Sequence, residues 1–380
     1  MFAMAEIEQT FNGLVGFNRR SVATISRSGD LIAQIYLYVV LDPIVYDGSF
    51  QVDDTNNAHW TNAVGHAMLE QIRVEIGGHQ FDEQSGEYLQ IWESLAAPPA
   101  KLMFEMTGYA TSVGTLVDYG FLTQYLYVPL KFWFNRFYEQ ALPLIALQYH
   151  EVKIYINTRT LAQLTIYNGL ANATNTTFPT EPTNMLLLVN YVFLDTMERR
   201  MFAQQAHEYL IDQVQYTGPE SHQATVGTLN SRQTFNHPVQ ELIWVAQRDD
   251  VVADNEWFNF GGREATSQNL VTDPITHVQL ALNGHDRTLN HVAQYYRLVQ
   301  PYQHHSRFPD HYIYCYSFAL YPEDVKPSGS CNMSRIDNVN LRFTFPTSQD
   351  LQWTGQVRIY ARSKNVMKIV SGMAGLMYAN

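Results

Sequence analysis

Histidines gather at His304, His305 and His311, with Asp310 beside the third. Imidazoles with a nearby carboxylate are the usual makings of a zinc or iron site, provided the ligands converge at fixed spacing. Here two histidines are adjacent, so on a strand they point to opposite faces. The spacing therefore predicts a solvated loop and no metal site. A second group, Asp249, Asp250, Asp254 and Glu256, has oxygen ligands suited to calcium, but its spacing is not that of an EF-hand loop. Glycoside hydrolysis needs two facing carboxylates, and nothing singles out a pair. No nucleophile elbow, phosphate loop or dinucleotide fingerprint occurs.

Three asparagines stand in glycosylation sequons: Asn172-Ala-Thr174, Asn175-Thr-Thr177 and Asn332-Met-Ser334. The first two lie in a polar loop, Leu161–Thr183; in a cytosolic protein such sequons are usually unused. The third sits in a turn whose backbone competes for its side chain. Arg335 and Asp337 stand two apart and can be read as a catalytic pair. A better reading is an Arg–carboxylate pair that pins a loop or reaches across a subunit contact. The sequence thus predicts no catalytic residue and no cofactor.

Composition limits the rest. The chain has 380 residues, enough for about two domains. Net charge is −12, with 16% charged residues and 13% aromatics. An acidic chain without a Lys/Arg block is a poor binder of nucleic acid, because phosphate neutralisation supplies most of that affinity. Few charges with many Tyr and Phe favour β-structure and large protein contacts. The 2 cysteines, Cys315 and Cys331, make no disulfide framework. No basic n-region with an apolar run opens the chain, and no apolar stretch reaches the ~18 residues of a spanning helix.

The elements that must position these residues are mostly strands. Ser21–Ile25, Leu31–Leu41, Gln71–Ile76, Met185–Leu194 and Val339–Phe345 alternate or run apolar as strands do. Gly77-Gly78 makes a tight turn. Tyr88–Leu95 has helical spacing and stops at Pro98-Pro99. Phe121–Phe134 reads as a bent apolar strand or strand pair, and Leu142–Ile156 as a buried run joined to an alternating strand. Asp195 with Glu198 opens a helix whose apolar positions run to Leu210. The C-terminal stretch from Val366 finishes a strand.

The second half repeats the first in order. Ile72–His79 answers Val278–His285, Tyr127–Pro129 answers Leu320–Pro322, Val152–Ile156 answers Val339–Phe343, and Val189–Phe193 answers Val357–Ala361. The expectation is an all-β protein of two tandem eight-stranded antiparallel units, jelly-roll barrels or related Greek-key folds, with short helices in loops and a connecting helix. Residues 1–195 form the first, 196–218 the connecting helix and linker, and 219–380 the second. Tandem immunoglobulin-like domains are the structural rival, but they need about 100 residues each.

The stretch Lys326–Phe345 joins a polar turn to a strand. Its Pro-Ser-Gly-Ser-Cys-Asn-Met-Ser-Arg-Ile-Asp-Asn resembles the signature of the double jelly-roll major capsid proteins of nucleocytoplasmic large DNA viruses, most like the chlorella-virus (phycodnavirus) type. Ile7–Gly13, Ile25–Ile32, Leu142–Ile154, Asp195–Leu210 and Ser371–Asn380 are similar to the same family, in the same order. The family's additional N-terminal arm precedes the segment like Phe2-Ala3, so contacts by that arm stay open.

The resemblance implies a non-enzymatic structural protein of the virion, made and assembled in host cytoplasm, that forms homotrimeric pseudo-hexagonal capsomers of an icosahedral double-stranded DNA virus shell. Implied partners are itself, neighbouring capsomers, minor capsid and penton proteins, and an internal membrane reached through other proteins, with no direct nucleic acid. Glycans on outer loops are implied at Asn172 or Asn175. Pro327, Ser328, Gly329, Arg335 and Asp337 are read as a structural loop or subunit contact. The alternative is a tandem β-sandwich, lectin-like surface module. A third class, a jelly-roll enzyme such as a cupin, lacks a converging cluster.

Overall fold

A computed structural model describes residues 2–48, 52–53, 55–97, 104–265, 270–309 and 311–378. The chain divides into two compact units. One comprises Met1–Leu89, Met103–Ile211 and Val366–Ala379; the other comprises Gln90–Leu102 and Asp212–Asn365.

Eight strands build the first unit's two principal sheets. They are β1 (Phe2–Gln9), β2 (Arg20–Thr24), β3 (Leu31–Leu41), β4 (Leu69–Ile76), β5 (His79–Gln84), β6 (Gln124–Pro129), β7 (Val152–Thr158) and β8 (Asn184–Leu194). One sheet has the order β1-β8-β3-β6, the other β2-β7-β4-β5. The second unit uses β9 (His207–Tyr216), β10 (Thr228–Gln233), β11 (Pro238–Arg248), β12 (His277–Leu282), β13 (His285–Asp286), β14 (Ile313–Ser317), β15 (Val339–Thr344) and β16 (Gly355–Val370). Its sheets run β9-β16-β11-β14 and β10-β15-β12-β13. The same antiparallel order therefore occurs twice, strand for strand. The sheets are open and do not close into barrels, so each unit is a sandwich of the jelly-roll kind.

Period-two alternation makes the strands. Ile35, Leu37 and Val39 of β3 are at most 1% exposed, while Gln34, Tyr36 and Tyr38 between them are half-buried. In the second unit Leu242 and Trp244 of β11, Leu341 and Phe343 of β15, and Val357 and Ile359 of β16 share one core across both sheets. The repeat read from sequence is clearest in the β4–β5 and β12–β13 hairpins. Gly77-Gly78 (φ 61 and 82) and Asn283-Gly284 (φ 50 and 81) both take the left-handed pair that a tight hairpin turn requires.

Several expectations are corrected. The partner of β6 in the second unit is β14, not Leu320–Pro322, which lies in turns beyond that strand. Phe121–Phe134 is not one bent strand: β6 ends at Pro129, whose ring removes a ladder donor, and Trp133–Arg136 turns helical. Leu161–Thr183 is no bare loop. Thr165–Asn168 pairs with Asn57–Trp60, and Thr176–Thr177 with Val45–Tyr46.

Helix α1 (Gly86–Ala96) agrees with its spacing, and Ser85 Oγ accepts the Tyr88 N–H at 3.1 Å at its start; Pro98-Pro99 lies outside the described residues. Helix α2 (Thr196–Gln204) begins where Asp195 caps it, its carboxylate accepting the Met197 and Glu198 N–H groups at 3.0 Å each. It stops before Leu210, because His207–Tyr216 is extended and pairs with β16 as β9. So 196–218 is a helix followed by a strand. After β16 the chain turns back through Ser371-Gly372 and Met373–Leu376 pairs with Met367–Val370.

Candidate assembly surfaces and a buried ionic cluster

The signature loop is held by short-range bonds. Ser328 Oγ accepts the Tyr321 N–H at 2.8 Å and donates to the Tyr321 carbonyl at 3.1 Å. Gly329 has φ +134, and a Cβ there would lie 2.9 Å from the Phe318 carbonyl oxygen. Pro327 is exposed. Cys331–Asn332 pairs with Pro238–Val239 of β11. Asn332 Oδ1 accepts the Ser334 N–H at 3.2 Å, and Ser334 Oγ accepts the His237 N–H at 2.8 Å. Between them Met333 plugs the core at 1% exposure.

Arg335 and Asp337 are both exposed and do not pair with each other. The cause is local: Met333–Arg335 is a 3-10 turn, so residues two apart leave in different directions. Instead Arg232 donates to the Asp337 carbonyl at 3.3 Å. Asn338 and the hairpin residue Asn283 exchange bonds of 3.1 and 2.8 Å.

The histidine group is not what its spacing predicts. Helix α3 (Gln300–His304) ends at His304, whose Nδ1 lies 3.0 Å from the Leu320 carbonyl. His305, expected in a solvated loop, has no exposed side-chain surface. Its Nε2 is 2.9 Å from Glu241 Oε2 and its Nδ1 3.0 Å from Glu323 Oε1. Burial alone would push its pKa down, but Glu241 and Glu323 outweigh that and hold it well above the ordinary 6.5. An imidazolium protonated on both nitrogens has no lone pair to give a metal. Among the described residues no cluster of His, Cys, Asp and Glu could hold a metal ion; Asp310 lies outside them.

Glu241 belongs to a larger cluster. Arg362 reaches Glu241 at 3.4 Å and Asp212 at 2.6 Å, and Lys364 reaches Asp212 at 2.5 Å. The Arg362 guanidinium also lies 4.2 Å over the Trp92 ring. Asp212, Glu241 and Glu323 balance His305, Arg362 and Lys364, so the buried group is neutral when His305 is charged. These residues are far apart in sequence, and no motif announces them. One clue is local: Glu241 directly precedes the apolar run Leu242–Ala246 of β11.

The acidic group at Asp249–Glu256 is engaged locally. Asp250 takes Arg248 at 3.0 Å and Arg263 at 3.8 Å, and Glu256 accepts from Asn259 at 2.7 Å. In the sequon region Asn172 is exposed and its Nδ2 donates only a 3.3 Å bond to the Leu170 carbonyl. Asn175 is half-buried and donates to the same oxygen at 2.9 Å.

Comparison with known proteins bears on this arrangement. A model of the major capsid protein N-terminus matches residues 1–195, and one of the large eukaryotic DNA virus major capsid protein matches residues 198–375. The chain is 37% identical to the major capsid protein of Pyramimonas orientalis virus, over 100% of this chain and 91% of that one. It is 34% identical to that of Paramecium bursaria Chlorella virus 1, over 100% and 92%. Among solved structures it matches PBCV-1 VP54 at a TM-score of 0.82 and 32% identity, covering 100% of this chain and 97% of that one. The Faustovirus major capsid protein shares the fold at a TM-score of 0.76 and 13% identity. The twofold jelly-roll order, the signature loop and these matches together make the chain a member of the large eukaryotic DNA virus major capsid protein family.

Proposed function

We propose that this capsid protein works as a homotrimer, a pseudo-hexagonal capsomer of an icosahedral shell around double-stranded DNA. One observation carries the reading: the same eight-strand order occurs twice in one chain. Three such chains offer six similar units around a threefold axis, which tiles a hexagonal lattice with one gene product.

On this reading the protein has no enzymatic role. The two jelly rolls, near 1–195 and 219–380, are joined through 196–218, whose strand β9 (His207–Tyr216) is already part of the second jelly roll's sheet. Its partners are neighbouring capsomers, minor capsid and penton proteins, and an internal membrane reached through other proteins, with assembly in host cytoplasm. A net charge of −12 argues against direct contact with the genome. The side chains of Arg335 and Asp337 are exposed and form no ion pair among the described residues, which suits a subunit contact, while Pro327, Ser328 and Gly329 shape the loop that presents them.

Light scattering on purified protein tests the trimer. The expected mass is three times the 43.6 kDa chain. A monodisperse monomer at micromolar concentration overturns the reading, and glycan binding by that monomer would instead favour a lectin-like module.

A further inference from the structure

The two units carry the same sheet in the same order, but its outer face is treated differently. In the second unit that face is covered. Ile243, Val245 and Cys315 point outward and are 0% exposed. Residues 295–305 lie over it: Cys315 Sγ is 3.9 Å from the Tyr296 carbonyl, and Gln300 Oε1 accepts the Ser317 N–H at 3.1 Å.

In the first unit the matching face is partly open: Leu186 and Leu188 are buried among their neighbours, but the tyrosines beside them are not. Tyr38 of β3 and Tyr127 of β6 are cross-strand partners with ring centroids 5.0 Å apart. Tyr125 is 57% exposed and Tyr127 38%, and Tyr36 lies alongside. The row continues across β8 to β1, where Leu188 pairs with Glu8 and Asn190 with Glu6. Both glutamates are exposed. The strands β1, β8, β3 and β6 contain no lysine or arginine. The face is therefore aromatic and acidic. Exposed aromatic surface of this kind on one sheet face marks a protein contact.

Its complement is in the same chain. The outer face of β10-β15-β12 in the second unit carries Arg232 and Arg342, diagonal neighbours across the β10–β15 pair. Both are exposed, and the three strands contain no aspartate or glutamate. Asp286, on edge strand β13, is the nearest acid in the ladder, opposite Ala281. Arg232 also donates to the Asp337 carbonyl, which ties this face to the signature loop. Arginine pairs with carboxylates and also stacks on tyrosine rings.

We propose that the tyrosine–glutamate face of the first unit docks on the arginine face of the second unit of another copy of this chain. The acidic face repels its own copy, so the contact is heterologous, and a heterologous contact that closes after three steps makes a ring. This pairing rests on the trimer reading above and assigns its surfaces.

Charge swapping tests it. The Glu6→Lys/Glu8→Lys protein and the Arg232→Glu/Arg342→Glu protein are each compared with wild type by light scattering over a dilution series. Each should need about tenfold or more protein to stay trimeric, with unchanged circular dichroism, since all four side chains are exposed. The protein carrying all four changes should recover most of the loss. A wild-type monomer overturns the trimer reading and this pairing with it. A trimeric wild type whose half-variants dissociate no more readily overturns the pairing alone, as does a fourfold variant no better than its halves.

Discussion

His305 Nε2 lies 2.9 Å from Glu241 Oε2 with neither side chain exposed. Around this pair stand Glu323 on the other imidazole nitrogen, the Cys315 thiol, and Arg362 on the far side of Glu241. His305 is held well above its ordinary 6.5, while Glu241 and Glu323, despite burial, are held below 4.5 by His305. The histidine's contribution is therefore complete below about pH 6.5 and is lost as pH rises through its raised folded value. The glutamates' contribution is complete above about pH 4.5 and fades on acidification. His305→Ala leaves Glu241 short of one partner and should cost about 3–5 kcal/mol, because a buried charge loses compensation. Urea unfolding at pH 6 and pH 9 checks both points. A wild-type protein as stable at pH 9 as at pH 6, with a mild His305→Ala, would contradict the charged pair.

His222 behaves in the opposite sense. It stacks on Phe345 at 3.6 Å and meets Trp353 edge-on at 4.6 Å, and burial pushes its pKa down to about 4. Its Nδ1 has no hydrogen-bond partner among the described residues. A histidine kept neutral by folding stabilises fully above its ordinary 6.5, and that stability is lost as pH falls from 6.5 toward about 4. His222→Phe keeps the stacking and removes the proton uptake. It should match wild type at pH 7 and exceed it at pH 5 in thermal melts. An unchanged difference between the two pH values would count against a neutral, buried ring.

The jelly-roll strands were legible because their alternation survives in sequence, as in Val339-Asn-Leu-Arg-Phe343. The paired hairpins at Gly77-Gly78 and Asn283-Gly284 were legible because left-handed turns restrict residue choice. The Leu320–Pro322 assignment failed because a Pro-containing apolar triplet matches either a strand end or the turn after it. His305 was misplaced for a different reason. Its environment comes from Glu241 and Glu323, far away in sequence, and adjacency to His304 says nothing about which ring is buried. The open and covered sheet faces were equally hidden, since Tyr36 and Tyr38 read like any strand residues until the neighbouring strands are known.

Gly329 should be the least replaceable residue of the signature turn. Its φ of +134 lies where a side chain is strained, and a Cβ would sit 2.9 Å from the Phe318 carbonyl oxygen. That backbone cannot yield cheaply, because the Phe318 N–H already donates to the Gln240 carbonyl at 2.7 Å. Gly329→Ala should destabilise the protein by about 1–3 kcal/mol. Ser328→Ala, which loses two bonds to Tyr321 at a partly exposed site, should cost less, about 0.5–1.5 kcal/mol. Chemical denaturation ranks them, and a harmless Gly329→Ala would show that the turn relaxes.

Modification should choose between the two neighbouring sequons. A glycan is attached through the asparagine Nδ2, which must be free to react. Asn175 Nδ2 is committed to the Leu170 carbonyl at 2.9 Å and its residue is half-buried. Asn172 is exposed, its Nδ2 bond to that carbonyl is longer at 3.3 Å, and its Oδ1 holds the turn by accepting the Thr174 N–H at 2.8 Å. Glycosylating Asn172 therefore leaves the Oδ1 bond that holds the turn and disturbs only the longer Nδ2 bond, whereas a glycan on Asn175 must fit at the half-buried Nδ2 that makes the shorter one. Peptide mass spectrometry of virion-derived protein should find the glycan on Asn172 and an unmodified Asn175, and Asn172→Gln should abolish it. A glycan carried by Asn175, or a bare Asn172, would show that this loop opens before it is modified or is never modified.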